Sequence, residues 1–584
     1  MFKKYATTED GAGLQPRLKT DLHSNLRNIA VVVLFIAGEL PQSSYAADKG
    51  IPDAGNILNL VVPTINAVPF FVAPKAIQAP IESVPVETTE TLLIKHITIK
   101  GNTVFSTDLL HSLLADAEGQ TLTLVKIFAL AGRITGYYQS HGYPLNRAFI
   151  PEQTIQAGEL QIQVVEVRYG KIAIRNHSKL RDQLINDTTT ALKKGDLIKE
   201  AQLDNILLLL ADIPGIAVVP SVGLGDEGGT SDLYLNITPQ SLLTGDIQMN
   251  NQGNSYTGIS NLRGNFYINN PWHLGDLFSL NLLTAGKGMN YRRVAYESIT
   301  SGSGTKVGAS VSGLRYAIGG SLKNLLSSGA ANVSSIWIKQ PLKRNRQNSI
   351  YVQMEIARSV LQDHIESGSV PAYTDRNIKS NTFSAYGEFH DTLWRQSLNT
   401  WNLSATRGLV QFDNASALAV DQSASNTAGL FTKYNLAIQR IETISDFTAL
   451  HLAINVQQTA SKLDASQKMD VGGPTSVRAY LAGISSGDSG YFASMELRHT
   501  LGLALQSHWT ATLFTDVAGL RTNSGNSASA YSLAVIKDLG TGLLWSSPLQ
   551  WSGAAYIAWP LGDLPSGVSS YKPARIYVVV QKGF

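Results

Sequence analysis

The second half of the chain alternates between apolar and polar side chains. Leu450, Leu452 and Ile454 share one parity, whereas His451 between them has the other. Such a period of two is typical of strands with one face towards lipid and the other towards water. A soluble sandwich also alternates, but here the pattern continues over residues 241–584, with Trp and Tyr near strand ends. At roughly 21 residues per strand and connection, it favours a transmembrane antiparallel barrel of about 16 strands.

Residues 92–167 and 168–240 show a different pattern, in which helical spacing is mixed with short strands. Ile127, Ala131 and Ile134, for example, recur on one helical face. The order strand, helix, helix, strand, strand occurs once in each range. We therefore predict two copies of one small α+β module, each with an apolar sheet face covered by helices. The exposed sheet edges of such modules can accept an extended peptide by strand addition.

The amino-terminal segment resembles a secretory leader. An apolar run at residues 29–38 follows the basic residues Lys19 and Arg27, and small residues precede a cut after Ala46. This order predicts a signal peptide over residues 1–46. The alternative is an uncleaved anchor, but ten apolar residues are short for a membrane span.

Residues 47–91 are rich in proline and are predicted to form a semi-extended linker. Residues 54–62 are the exception within this linker, because their apolar spacing suits a short helix.

Composition narrows the class of function. Charged residues make up 16% of the 584, the net charge is +3 without a basic tract, and there is no cysteine. These values argue against a nucleic-acid partner and exclude disulfides and thiol chemistry. The eleven histidines show no linear metal-binding motif on a helix, so no metal and no cofactor are expected. The basic cluster at residues 343–346 could contact lipid phosphates, but it is interpreted as a solvated turn.

Two motifs carry a specific resemblance. Val477-Arg478-Ala479-Tyr480, and Phe514 and Asp516 two strands later, resemble motifs of the two-partner secretion transporters, the TpsB family. The family carries glycine at two positions where this chain has alanine, Ala479 in the first motif and Ala518 in the second. This departure bears on the backbone of the first motif but leaves its charges intact.

The resemblance implies that residues 458–489 form a loop folded back into the barrel, with Val477, Arg478 and Tyr480 at its tip. Asp516 and Glu496 both have the inward parity of their strands. A guanidinium group inside a lumen needs an anionic partner, and carboxylates give it directional paired hydrogen bonds. We therefore predict that Arg478 pairs with Asp516, with Glu496 nearby. The pair is either a latch needed for secretion or an ordinary ion pair of the barrel wall.

The predicted fold is mainly β: a barrel of about 16 strands over residues 241–584, preceded by two periplasmic α+β domains of the POTRA type. The final segment alternates and ends in Phe584, an aromatic residue typical of outer-membrane barrels and of their assembly signal. The resemblance further implies that the short helix in the linker plugs the pore at rest. The expected location is the bacterial outer membrane.

The resemblance implies export of a large partner exoprotein, such as an adhesin, haemolysin or toxin, without nucleotide hydrolysis or enzymatic activity. The expected partners are this exoprotein, periplasmic chaperones, the barrel-assembly machinery and outer-membrane lipid. Two alternatives stay open: a barrel insertase and, with less support, a diffusion porin. Two modules and a plug favour the exporter, because insertases usually carry more modules and a porin needs none.

Overall fold

The computed structural model describes residues 52–61, 91–367, 371–523, 534–562 and 573–584. The predicted signal peptide and most of the proline-rich linker lie outside these residues. The predicted short helix is present as α1 (Ala54–Val61). Among the described residues, no helix is both long and apolar enough to cross a membrane.

The first module is a three-stranded sheet covered by helices. Its elements are β1 (Thr91–Ile94), β2 (His96–Lys100), α2 (Thr107–Ser112), β3 (Gln120–Thr123), α3 (Leu124–Ser140), β4 (Arg147–Phe149) and β5 (Glu159–Val165). The sheet order is β2-β5-β4, and β1 pairs with β3 in a separate two-stranded sheet that the sequence pattern did not predict. The side chain of Thr123 caps α3, which buries Ile127 and Ile134 in the core of the module.

The second module repeats the architecture. It contains β6 (Arg168–Asn176), α4 (Asp182–Thr189), α5 (Glu200–Ala211), β7 (Ile216–Leu224) and β8 (Thr230–Pro239). Its sheet has the order β6-β8-β7, with β6 parallel and β7 antiparallel to β8. Helix α5 packs Leu203, Ile206 and Leu210 onto this sheet.

The remaining strands are β9 (Leu243–Asn250), β10 (Asn261–Asn269), β11 (Asp276–Thr284), β12 (Met289–Ile299), β13 (Lys306–Ala317), β14 (Ser327–Arg344), β15 (Asn348–Ile365), β16 (Ala372–Asp391), β17 (Ser397–Phe412), β18 (Gly429–Ser445), β19 (Thr448–Thr459), β20 (Met469–Val471), β21 (Ser485–Gly487), β22 (Ser489–Ala504), β23 (Ser507–Arg521), β24 (Ala534–Ser546), β25 (Trp551–Leu561) and β26 (Arg575–Gly583). A helix, α6 (Ala415–Ser423), lies between β17 and β18. Strands β20 and β21 form a small separate hairpin.

The other strands close into one antiparallel barrel of sixteen, which confirms the predicted fold. Closure is completed by β26, which pairs with β9 so that Val579 lies opposite Asn250 and Gly583 opposite Asp246. A closed sheet leaves no edge strand, so every strand has a hydrogen-bonded neighbour on both sides.

Side-chain parity places apolar groups outside and polar groups inside the barrel. On β23, Leu513 faces outward with 54% of its surface exposed, whereas Asp516 faces the lumen and is 1% exposed. On β14, Ile336 and Ile338 are exposed on the outer wall, and Trp337 between them donates a hydrogen bond to Glu297 inside. The wall therefore presents an apolar outer band and directs its polar side chains into the lumen, as the alternation in the sequence predicts.

The second module docks against the barrel through the last residue of β14 and the turn that follows this strand. Arg344 is buried and forms a paired ion bridge with Asp212, with both nitrogen–oxygen distances 2.9 Å. Arg346 bonds Asp204 on α5 at 2.9 Å. The interpretation of residues 343–346 as a solvated turn was wrong, because the sequence does not reveal that this turn meets a neighbouring domain.

Candidate functional site

The connection between β19 and β22 folds into the lumen instead of projecting away from the barrel. It carries the β20–β21 hairpin, and the chain between these strands forms a tip held against the wall. Gly472 and Gly473 have φ of 91° and 90°, a conformation that side chains with a Cβ rarely adopt. A Cβ on Gly473 would also lie 2.8 Å from the Cα of Ala482. The tight entry into the tip therefore requires glycine at this point.

Arg478 lies at this tip and reaches two carboxylates of the wall. Its Nε lies 2.8 Å from Oδ2 of Asp516, and its Nη1 lies 2.6 Å from Oε2 of Glu496. Its Nη2 donates to Oδ1 of Asp516 at 3.2 Å and to Ser494 at 3.3 Å. The structure thus brings together the three charged residues that the sequence singled out. The Asp516 interaction is bidentate, the strongest geometry for a guanidinium–carboxylate pair.

The wall positions these carboxylates through strand register. Ser494 on β22 lies opposite Asp516 on β23, and Glu496 lies opposite Phe514. The side chains of both carboxylates therefore share the lumen face within one step of the ladder. Phe514 lies beneath the guanidinium, with 3.4 Å between Cζ of Arg478 and the ring centroid. Arg478 is thus held by charge on its edge and by an aromatic face below it.

A third carboxylate, Asp538 on β24, completes the cluster and was missed by the sequence analysis. It lies directly opposite Asp516 and is fully buried. Its Oδ2 accepts the backbone N–H of Ala479 at 2.6 Å, and its Oδ1 accepts the N–H of Asp516 at 3.1 Å. The inward parity of β24 was the signal that could have found it.

The other tip residues of the prediction pack around Arg478. Val477 is fully buried, and Tyr480 belongs to the same apolar cluster as Phe514. The backbone oxygen of Tyr480 accepts the hydroxyl of Tyr577 on β26 at 2.7 Å. Ala479 does not adopt a positive φ. An alanine therefore fits where the family has glycine, without backbone strain.

Helix α1 occupies the lumen beside this loop. Its buried face, Ala54, Ile57 and Val61, belongs to one apolar cluster with lumen-facing residues of the wall, which are Leu283, Met289, Tyr291, Leu314, Tyr316, Ala331, Leu361, Ile378, Val410 and Phe431. An eight-residue helix is too short to be stable alone in water, so this packing must hold it in place.

The amino-terminal end of α1 is fixed by a buried arginine, Arg376 on β16, which is 2% exposed. Its Nη2 lies 2.6 Å from Oδ2 of Asp53, and its Nη1 lies 2.7 Å from Oδ2 of Asp363. Its Nε contacts Asp464, at the start of the inward loop. Asp363 also accepts the first N–H of the helix, from Ala54, at 2.8 Å. The carboxylate thus meets the positive end of the helix dipole.

Helix α1 and the inward loop contact each other directly. The Asn59 amide donates to the oxygen of Ala465 at 3.1 Å and to Asp470 at 3.0 Å. A Cβ on Gly55 would overlap the backbone of Ser466. The helix and the base of the loop therefore form one packed unit in the lumen.

Phe584, the remaining residue of the prediction, lies at the other end of the wall. Its N–H and C=O both pair with Gly245 at 3.0 Å, and its ring lies 5.9 Å from that of Phe266. The residue thus extends the β26–β9 seam.

A barrel of sixteen strands, preceded by two α+β modules and containing a folded-in loop, defines a class of outer-membrane transport proteins. The model of the POTRA domain, ShlB-type, matches residues 92–167. The model of the haemolysin secretion/activation protein ShlB/FhaC/HecB matches residues 229–536, more than half of the chain. The chain belongs to this family. It is an outer-membrane transporter of two-partner secretion that exports a partner exoprotein, and its POTRA domains lie in the periplasm.

Individual relatives agree with this assignment. The chain is 25% identical over 469 residues to the heme/hemopexin transporter protein HuxB of Haemophilus influenzae (strain 86-028NP), with 80% of this chain and 82% of HuxB covered. It is 22% identical over 382 residues to the outer membrane transporter CdiB of Dickeya dadantii (strain 3937), covering 64% and 66%. The solved structure of CdiB from Escherichia coli shares the fold, with a TM-score of 0.64 at 20% identity over 87% of this chain and 93% of that one.

Proposed function

We propose that this transporter exports one large, unfolded exoprotein and that Arg478 is the latch that keeps the inward loop in the position secretion requires. The supporting observation is that the tip reaches two carboxylates on different strands through a single buried cation. An ordinary ion pair of the wall joins residues of the strands themselves. Arg478 instead joins a loop to the wall, as a latch must.

Helix α1 is, in this proposal, the plug of the resting pore. Two observations support this role: the buried face of the helix packs against apolar residues of the wall, and an ion bridge joins Asp53 to Arg376. Transport requires the helix to leave the lumen. Its contacts with Ala465 and Asp470 mean that departure of the plug also frees the base of the loop.

The exoprotein first docks on the POTRA domains, by strand addition and groove contacts. Strands β2 and β4 in the first domain and β6 and β7 in the second are the outer strands of their sheets. On β7, Val219 and Leu224 are exposed beside the unpaired edge. An extended peptide could pair with this edge and cover both side chains.

Directionality comes, in this proposal, from folding of the exoprotein outside the cell, with no nucleotide hydrolysis and no enzymatic step. The cargo class is an adhesin, haemolysin or toxin. Periplasmic chaperones and the barrel-assembly machinery insert the protein into outer-membrane lipid, with Phe584 as part of the assembly signal. No nucleic acid takes part.

The decisive experiment compares Arg478→Ala with Arg440→Ala. Arg440 is a wall arginine with the outward parity of the exposed Ile438, and its partners, Asp391 and Glu442, also belong to the wall. If Arg478 is a latch, Arg478→Ala lowers secretion at least tenfold, while both variants keep heat-modifiable migration on gels. Equal secretion by the two variants would make Arg478 one more wall residue and refute the latch.

The cargo and the insertase alternative are tested together by deleting the gene. Mass spectrometry of the culture medium should show loss of one large protein. Unchanged medium with depleted outer-membrane barrels would favour the insertase.

A further inference from the structure

Three potential metal ligands converge on the surface of the first POTRA domain. His96 is the first residue of β2, His111 lies in the last turn of α2, and Glu118 follows the short 3-10 turn Ala115–Ala117. Their ligand atoms all lie within 4.8 Å of one another. Because the three come from a strand, a helix and a turn, their spacing along the chain matches no linear motif.

The distances suit a tetrahedral cation. Nδ1 of His96 lies 3.3 Å from Oε1 of Glu118, and Nε2 of His111 lies 3.1 Å from the same oxygen. Ligands at about 2.0–2.1 Å from a tetrahedral zinc ion are separated from each other by roughly 3.3 Å. The two nitrogen–oxygen separations therefore already match the edges of such a site. His96 is 64% exposed along its side chain, so its ring is free to complete the third edge.

The carboxylate is oriented by the fold. Oε1 of Glu118 accepts the backbone N–H of Ile97 at 2.8 Å. This hydrogen bond fixes the position of that oxygen beside the two imidazole rings. An outer hydrogen bond that fixes a ligating carboxylate is a regular feature of metal sites.

Without a cation, both imidazoles compete for one carboxylate oxygen. A divalent cation would use all three groups at once. Two imidazoles and one carboxylate form a set that suits zinc better than the hard, oxygen-seeking magnesium ion.

We propose that His96, His111 and Glu118 bind one zinc ion, with the fourth position open to water. The ion would join β2 to the segment that follows it, including α2 and the turn before β3. It would thus stabilise the first POTRA domain in proportion to its occupancy.

The test is isothermal titration of ZnCl₂ into the untagged, full-length, chelator-treated protein in detergent. We expect one saturable site, and affinity at least tenfold lower in His96→Ala and in His111→Ala. His96→Ala is the primary variant because the exposed ring supports no core packing. The matched control is His177→Ala, an exposed histidine of the second domain, which should bind as the wild type does.

Three further outcomes decide the proposal. Zinc binding should weaken as the pH is lowered, because protons compete with zinc for the same imidazole nitrogens. Magnesium chloride should give no comparable heat at the same concentrations. Absence of a saturable site in the wild type, or a loss smaller than tenfold in His96→Ala, overturns the assignment.

Discussion

Arg478 and Arg376 both lie buried in the lumen, but fixed and movable partners are arranged around them in opposite ways. Around Arg478, the loop supplies the cation and the wall supplies the carboxylates Asp516 and Glu496. Around Arg376, the wall supplies the cation, and two of its three carboxylates belong to the residue just before helix α1 and to the loop. The two sites therefore differ in what remains when the movable part leaves.

Release of the helix leaves no orphaned charge. When Asp53 departs, Arg376 keeps Asp363 on the neighbouring strand. Release of the loop tip instead leaves Asp516 facing Asp538 with no cation between them. Leaving a buried charge uncompensated costs about 3–5 kcal/mol. The helix should thus be the easier part to release and the loop tip the harder, as expected for a plug and a latch.

The largest effect is expected for Arg376→Leu, which orphans Asp53, Asp363 and Asp464 together. Mutual repulsion should expel α1 and loosen the base of the loop. Channels in planar bilayers should be open almost continuously, and the folded barrel should convert to its heat-denatured form at a lower temperature. Arg440→Leu is the control; a closed channel in Arg376→Leu would contradict the role of this arginine.

The second largest effect is expected for Gly55→Ala, a substitution that should stabilise the isolated helix but weaken its packing against the loop. Alanine favours an isolated helix by about 1 kcal/mol relative to glycine. Its Cβ would nevertheless overlap the backbone of Ser466. We expect a higher single-channel conductance despite the stronger helix. Gly132→Ala on α3, where a Cβ meets nothing within 4 Å, should leave the conductance unchanged. An unaltered current in Gly55→Ala would mean that α1 does not need this close approach.

A smaller effect is expected for Asp53→Asn. The substitution weakens one of three partners of Arg376, so the lost interaction is about 1–3 kcal/mol. Open events should become more frequent, while secretion stays within about twofold of the wild type. Secretion that fell as far as in Arg478→Ala would erase the distinction between the two sites.

The smallest effect is expected for Ala479→Gly, which restores the residue of the family motif. Because Ala479 has no positive φ, glycine relieves no strain there. Its greater entropy in the unfolded chain lowers the free energy of unfolding by about 0.5–1 kcal/mol. Secretion assays should show no gain. A clear gain would mean that the alanine distorts the tip.

Local pattern predicted the architecture and the Arg478 cluster well. Strand parity was enough to place Asp516 and Glu496 on the lumen face, and helical spacing was enough to find the modules. The same alternation continues through β24 and assigns Asp538 to the lumen face, so applying it to that strand would have found this residue.

Contacts between distant parts of the chain could not be predicted in this way. The bridge from Asp53 to Arg376 joins residues 323 positions apart, and no periodicity of either segment marks it. The sequence around Arg344 is polar and basic, as in a solvated turn. Arg344 is buried against Asp212 only because the second module docks there. In both cases an ion pair between separate elements decides the outcome, and sequence patterns describe one element at a time.

The seam between β9 and β26 constrains the order in which the barrel can form. These neighbours in space are the first and last strands of the wall, and Asn251 bonds Ile576 across 325 positions. One edge of strand β9 therefore has no hydrogen-bonded partner until β26, the last strand of the wall, is available for pairing. Contacts of such long range form slowly, and an open edge invites incorrect pairing in the meantime. The interval between export into the periplasm and ring closure is thus the stage at which this polypeptide most needs protection.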